Sequence, residues 1–171
     1  AHYITDYQGV LLDQILDTIT ELDSTSKLQV VQERRLLAEA GHISFAELVP
    51  VIEKLTEESS YLVVSGVKAV LSGLKIFVEE GSESEKAYND LVIKLSRFNF
   101  DRLGFEAKDG ESDEDELVRQ IVIGNLIATN DEKATQEADG IFKAHQDDLE
   151  KLPAAIRLHI LINQIKHHES K

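Results

Sequence analysis

The stretch GFEAKDGESDEDELVRQIV, residues 104–122, decides how the chain is read. Six of the eight residues from Asp109 to Glu116 are acidic. A calcium loop of the EF-hand kind needs oxygen ligands at alternate positions, Gly at the sixth and Glu at the twelfth. Counted from Asp109, those two positions hold Glu114 and Gln120, so the loop fails twice. A helix start accounts for the same residues. Ser112 is an N-cap, Asp113, Glu114 and Asp115 fill the first turn, and Ser112 with Asp115 makes a capping-box pattern. The partial positive charge at a helix N-terminus favours each such acid by a few tenths to about 1 kcal/mol. Gly104 then stops one helix and Ser112 starts the next.

The same helix grammar extends in both directions. Upstream, Ser84–Leu103 presents Tyr88, Leu91, Val92, Leu95 and Phe98 on one face. Ser60–Glu80 reads as a long apolar helix ended by Gly81, and Ser44 with Glu47 makes a second capping box. Pro50 falls inside the helix begun at Ser44 and should kink or delay it. Gln8–Leu22 carries Leu11, Leu12, Ile15, Leu16, Ile19 and Leu22 on its apolar face. Asp23 to Ser26 form a turn, and Lys27–Ala40 follows, stopped by Gly41. Downstream lie Ser112–Ala128, Asp131–Asp147 with a stripe of Ala134, Ala138, Ile141, Phe142 and His145, and Pro153–His168 with Pro153 at the first helical position. Only HYITDY, residues 2–7, reads as a strand.

Eight helices with short connections predict an all-α fold of stacked antiparallel helical hairpins. Pairs start near residues 9, 44, 84 and 132, roughly the period of an armadillo- or HEAT-like α-α superhelix. No repeated sequence signature accompanies that period, and a closed helical bundle is the alternative.

Composition narrows the function. The chain of 171 residues carries a formal net charge of −14. A polyanion would repel it, which argues against nucleic acid and anionic membrane surfaces as partners. The segment YLVVSGVKAVLSGLKIFV, residues 61–78, has the length of a membrane span. Yet Ser65, Lys68, Ser72, Lys75 and Glu79 recur every three or four residues and draw a polar stripe on a buried helix. The chain has no Cys, which removes disulfides, thiolate zinc sites and Cys nucleophiles. It also has no Met, so Ala1 is expected to be the start of an excised fragment.

No motif carries chemistry. Six His are present, but His168 and Glu169 are not followed by the second His that HExxH requires. There is no G-x-S-x-G elbow, no phosphate loop and no dinucleotide fingerprint. No residue is therefore assigned a catalytic, cofactor-binding or metal-ligating role. Arg34 and Arg35 interrupt an apolar pattern, as does Arg157. These three and Arg119 are expected to make ion pairs that fix helix packing.

Several segments together resemble one family. HYITDYQ, with Tyr3 and Tyr7, resembles the Y-R-V-x-Y-D segment that closes a β-sandwich and enters the helical C-terminal (ERAP-like) domain of the aminopeptidase N family of zinc metallopeptidases. LDSTSKLQVVQERRLLAEAG resembles that family's next segment through Leu22, Lys27, Leu37, Ala38, Ala40 and Gly41. EESSYLVV stands where the family has E-x-x-Y-x-P-W. Residues 102–131 match an L-G-W…E-S…L-R…G-D stretch at Leu103, Gly104, Phe105, Glu111, Ser112, Leu117, Arg119 and Asp131. LPAAIRLHIL resembles I-P-x-x-L-R through Pro153 and Arg157. Ser26, Gln32, Glu33, Arg35 and Val63–Val64 depart from the family pattern.

The resemblance implies that residues 1–7 end a preceding β-domain or linker and that residues 8–171 are the first part of the helical C-terminal domain. It implies a noncatalytic piece of a zinc metallo-aminopeptidase that removes N-terminal residues from peptides. The zinc would sit in the parent enzyme and not in this fragment. The domain would cap the catalytic domain of the same chain and help enclose the substrate cavity. Peptides would be the substrates and the cytoplasm the location. A free-standing helical-repeat scaffold for protein–protein interaction is the alternative.

Overall fold

A computed structural model describes the backbone of residues 4–169 and the side chains of residues 4–166. Among the described residues every regular element is a helix, which is the expected all-α class. The helices are α1 (Gly9–Thr18), α2 (Ser24–Glu39), α3 (Val49–Glu53), α4 (Tyr61–Lys75), α5 (Glu83–Leu103), α6 (Asp113–Ala128), α7 (Glu132–His145) and α8 (Ala154–Glu169). Short 3-10 turns at Ile19–Glu21, Phe45–Leu48 and Leu149–Lys151 join some of them. Of the strand expected at HYITDY, His2 and Tyr3 lie outside the described residues, and residues 4–7 form no strand. The chain divides into two compact units, Ala1–Tyr88 and Asn89–Lys171, with the boundary inside α5.

In the first unit α2 packs on α4 and on the 3-10 turn Phe45–Leu48. Val31, Leu48, Val51, Ile52, Val63 and Val70 are buried there. α2 starts earlier than its sequence suggests. The Asp23 carboxylate accepts from the Thr25 and Ser26 amides, each at 3.0 Å, so the expected turn at Asp23–Ser26 is a cap and a first helical turn. The second capping box forms as expected, with the Glu47 carboxylate accepting from Ser44 N at 2.9 Å and Ser44 Oγ from Ala46 N at 3.2 Å. Pro50 delays the α-helix, as expected. It sits in the first turn of α3, where its missing N–H costs no intrahelical bond.

α4 ends at Lys75, short of the expected Glu80. Its last turn tightens into i→i−3 bonds, Phe77 N to Leu74 O at 3.0 Å and Val78 N to Lys75 O at 3.1 Å. The Glu85 carboxylate then accepts from Gly81 N at 2.8 Å, which pins the chain at the left-handed Gly81. The polar stripe of α4 faces outward, with Lys68, Ser72 and Lys75 exposed. No helix among the described residues is long and apolar enough to cross a membrane.

In the second unit α8 packs on both α6 and α7. Val122, Ile123, Leu126, Ala134, Ala138, Leu152, Ile156 and Ile160 are buried in this unit. α5 turns a different face inward than its leucine pattern predicts. Val92, Leu95, Ser96, Asn99, Phe100 and Leu103 are buried, while Phe98 is 39% exposed. Helical spacing from Val92 and Leu95 leads to Asn99 and Leu103, so two polar side chains at core positions had disguised the face. They are satisfied: Asn125 Nδ2 donates to Ser96 Oγ at 3.2 Å and Arg102 donates to Asn99 Oδ1 at 3.0 Å. Pro153 stands one position before α8 rather than at its first residue, and its carbonyl accepts from Ile156 and Arg157.

Close helix approach depends on glycine. A Cβ on Gly124 of α6 would lie 2.8 Å from the ring of His159 on α8, and one on Gly66 of α4 would lie 2.7 Å from Leu28 of α2. Gly140, within α7, meets nothing within 4 Å. Gly124→Ala is therefore expected to destabilise by about 1–3 kcal/mol through overpacking. Gly140→Ala is expected to stabilise by about 0.5–1 kcal/mol through helix propensity. Urea denaturation of the two variants checks both signs, and a stabilising Gly124→Ala would refute the close contact.

Candidate functional site

The acidic tract is a helix start. Ser112 Oγ accepts from Asp115 N at 3.3 Å, and the Asp115 carboxylate accepts from Ser112 N at 3.0 Å, closing the expected capping box at α6. Arg102, from the last turn of α5, reaches the other Asp115 oxygen at 2.5 Å. Arg119 donates to Glu111, and its side chain is only 3% exposed. Two of the acids are thus held by arginines inside the same unit. Asp109, Asp113 and Glu116 are exposed.

These contacts set the charges. The Ser112 amide, and then the Arg102 guanidinium, hold the Asp115 carboxyl at about 2. The Arg119 guanidinium holds the Glu111 carboxyl below its ordinary value. A depressed folded-state pKa contributes stability above the unfolded-state value of about 4, and that contribution is lost as pH falls toward 2. Asp115→Asn is expected to lower stability by about 1–2 kcal/mol at pH 7, from the weakened cap and the lost partner of Arg102. The gap between parent and variant should narrow as pH falls from 5 to 2. Urea titrations across that range test it; a gap that widens toward acid would contradict the assignment.

The four arginines singled out by sequence part company. Arg119 makes the expected buried ion pair. Arg34 is equally buried, but its close contact is a bond of 3.0 Å to the Tyr7 carbonyl, with Glu47 at 3.7 Å and Asp6 at 4.0 Å. It ties the segment before α1 to α2. Arg35 pairs with Glu39 one turn on, at the surface, where such pairs contribute little. Arg157 donates to the carbonyls of Glu150 at 2.8 Å and Leu152 at 2.8 Å, so it braces the α7–α8 connection. For Arg35 and Arg157 the expected packing ion pair is replaced by a local one and by carbonyl contacts.

Other polar anchors are invisible at the level of pattern because their partners are remote in sequence. Lys166 of α8 donates to the last carbonyls of α6, Ile127 O at 2.9 Å and Ala128 O at 3.1 Å. Buried Asn163 donates to Thr135 O at 3.2 Å and Asp139 at 2.8 Å. Lys27 and Glu58 pair at 2.6 Å. Asp131 caps α7, accepting from Ala134 N at 3.0 Å, and also binds Arg97.

A concavity of about 800 Å³ in the second unit is lined by Arg97, Asp101, Asp131 and Lys133 among others. Its charges answer one another: Arg97 pairs with Asp131, and Lys133 with Asp101 at 2.7 Å. Both cations also lie over the Phe100 ring, at 5.8 and 5.4 Å from its centroid. Every one of these groups is committed to a neighbour, and none forms a nucleophile–base pair. Among the described residues no three His, Cys, Asp or Glu stand close enough to hold a metal ion.

With helix order, caps and arginine contacts in place, comparison with known proteins adds the family. The family described as "ERAP1-like C-terminal domain" matches residues 1–171. The chain belongs to it. Aminopeptidase N of Lactococcus lactis subsp. lactis is 48% identical over 171 residues, covering 99% of this chain and 20% of the relative. Aminopeptidase N of Lactococcus lactis subsp. cremoris (strain MG1363) is 43% identical over 166 residues, covering 97% and 20%. Aminopeptidase N of Lactobacillus helveticus is 38% identical over 167 residues, covering 98% and 20%. The chain thus spans about a fifth of the length of the curated relatives it matches. The resemblance drawn from its sequence therefore holds at the level of the family.

Proposed function

We propose that this chain is the first part of the noncatalytic C-terminal helical domain of a zinc aminopeptidase that removes N-terminal residues from peptides. The observation that carries the reading is the match to aminopeptidase N relatives along nearly the whole chain, over only a fifth of their length. The domain caps the catalytic domain of the same polypeptide and helps enclose the substrate cavity. Residues 1–7 are the end of a preceding β-domain or linker. Peptides are the substrates, and zinc-activated water, held in the catalytic domain, supplies the chemistry. The enzyme is cytoplasmic. The net charge of −14 supports attraction of peptide ammonium termini over repulsion.

The parent reading frame and two assays test this. The frame should contain HExxH upstream of Ala1. The parent should hydrolyse an aminoacyl anilide and lose that activity to a zinc chelator, while residues 1–171 alone should neither turn over nor bind zinc. A start and a stop codon bracketing these residues would favour the free-standing scaffold. Stoichiometric zinc with turnover in the isolated chain would overturn the assignment of chemistry to another domain.

A further inference from the structure

The chain contains two Asp–Gly pairs, Asp109–Gly110 and Asp139–Gly140. Such a pair can rearrange without an enzyme. The glycine nitrogen attacks the aspartate side-chain carboxyl, and no Cβ on the glycine stands in its way. The fold puts the two pairs in opposite situations. Asp109 and Gly110 are both exposed, in a turn between α5 and α6 that Glu111 N closes by donating to Lys108 O at 3.3 Å. Gly110 has φ +86°, and a Cβ there would meet nothing within 4 Å. Among the described residues, none bonds to the Asp109 carboxylate or to the Gly110 amide. Asp139 and Gly140 lie inside α7. There the Asp139 carboxylate accepts from Asn163 at 2.8 Å and from Gln164 at 2.6 Å, and the helix engages the Gly140 amide.

We propose that Asp109 is a site of spontaneous isoaspartate formation in the folded protein, and that Asp139 is shielded from it. The Gly110 nitrogen bonds to Asp109 Cγ of the protonated carboxyl. The Cγ–O bond breaks, and the hydroxyl leaves as water with the amide proton. A cyclic succinimide results, and water then adds to either of its carbonyl carbons. Opening at the main-chain carbonyl breaks its bond to nitrogen and leaves the backbone running through Cγ, one methylene longer. Opening at Cγ restores Asp109. Water is released and then taken up, so no oxidant, reductant or co-reactant is needed. At Asp139 the same attack requires α7 to open and Asn163 and Gln164 to let go. The added methylene at Asp109 stands just ahead of Glu111, the partner of Arg119, and Ser112, the cap of α6, so the rearranged chain weakens that helix start.

Ageing the full-length protein that contains residues 1–171 tests the inference. It is held at neutral pH and physiological temperature beside two synthetic peptides, residues 103–119 and 133–147. Isoaspartate at each pair is measured after proteolysis, by chromatography against synthetic isoaspartyl standards. Protection is the rate in the free peptide divided by the rate in the protein. It is expected to stay under about tenfold at Asp109 and to exceed about tenfold at Asp139, where opening of the helix must come first. Protection above that at Asp109, or below it at Asp139, would overturn the proposal. The Asp109→Glu variant, changed only at an exposed position, removes the site and keeps the fold. After equal ageing the unchanged protein should unfold at lower urea than this variant; identical transitions would overturn the link to α6.

Discussion

Phe100→Ala is expected to destabilise the chain by about 3–5 kcal/mol, the range for emptying an aromatic site in a packed core. Phe100 is 2% exposed and meets Phe105 edge to face, with ring centroids 5.7 Å apart and planes at 86°. Arg97 and Lys133 close the site from the polar side, over the ring. Truncation therefore removes buried area, an aromatic pair and two cation contacts at once. Phe98→Ala, two residues away, is expected to cost under about 1 kcal/mol, because Phe98 is 39% exposed. Chemical denaturation of the pair gives a clear reading: equal losses, or a larger loss at Phe98, would refute the observed orientation of α5.

Arg119→Met ranks next, at about 3 kcal/mol. Removing one partner of a buried ion pair typically costs about 3–5 kcal/mol, because it strands the other charge. The lower end applies here, since the Glu111 side chain keeps 16% exposure and can draw in water. One Glu111 oxygen and Arg119 Nε are buried without a hydrogen-bond partner, so the desolvation of the pair is incompletely offset. The double variant Glu111→Leu with Arg119→Met should accordingly lose less than Arg119→Met alone. Thermal and urea unfolding of the cycle measures it; a double variant as damaged as the sum of its singles would show that the two side chains are not coupled.

Most of the helix map was legible in the chain because capping and stop signals are local. Ser112 with Asp115, Ser44 with Glu47, and Gly104 act within one turn of backbone, whereas Gly81 is left-handed but stands six residues beyond the end of α4 at Lys75. The errors have physical reasons of their own. Asp23 reads as a turn in sequence because an Asx turn and an N-cap use the same side-chain bond to the amides that follow. Phe98 keeps helical spacing with Leu91 and Leu95, so its stripe is as periodic as the buried one; the buried stripe is harder to see because the polar Ser96 and Asn99 stand in it. Arg157 matched a family position yet pairs with carbonyls, since a guanidinium satisfies either kind of acceptor.

By itself the sequence determined the helical class, nearly all helix boundaries and the family, because each rests on neighbours along the chain or on an order of residues that needs no coordinates. Tertiary structure alone decided which acids meet which arginines and which glycines seat a neighbouring helix. Such contacts join groups far apart in sequence: Arg97 meets Asp131, Gly66 seats Leu28 and Gly124 seats His159. No spacing within one helix encodes a contact of that kind.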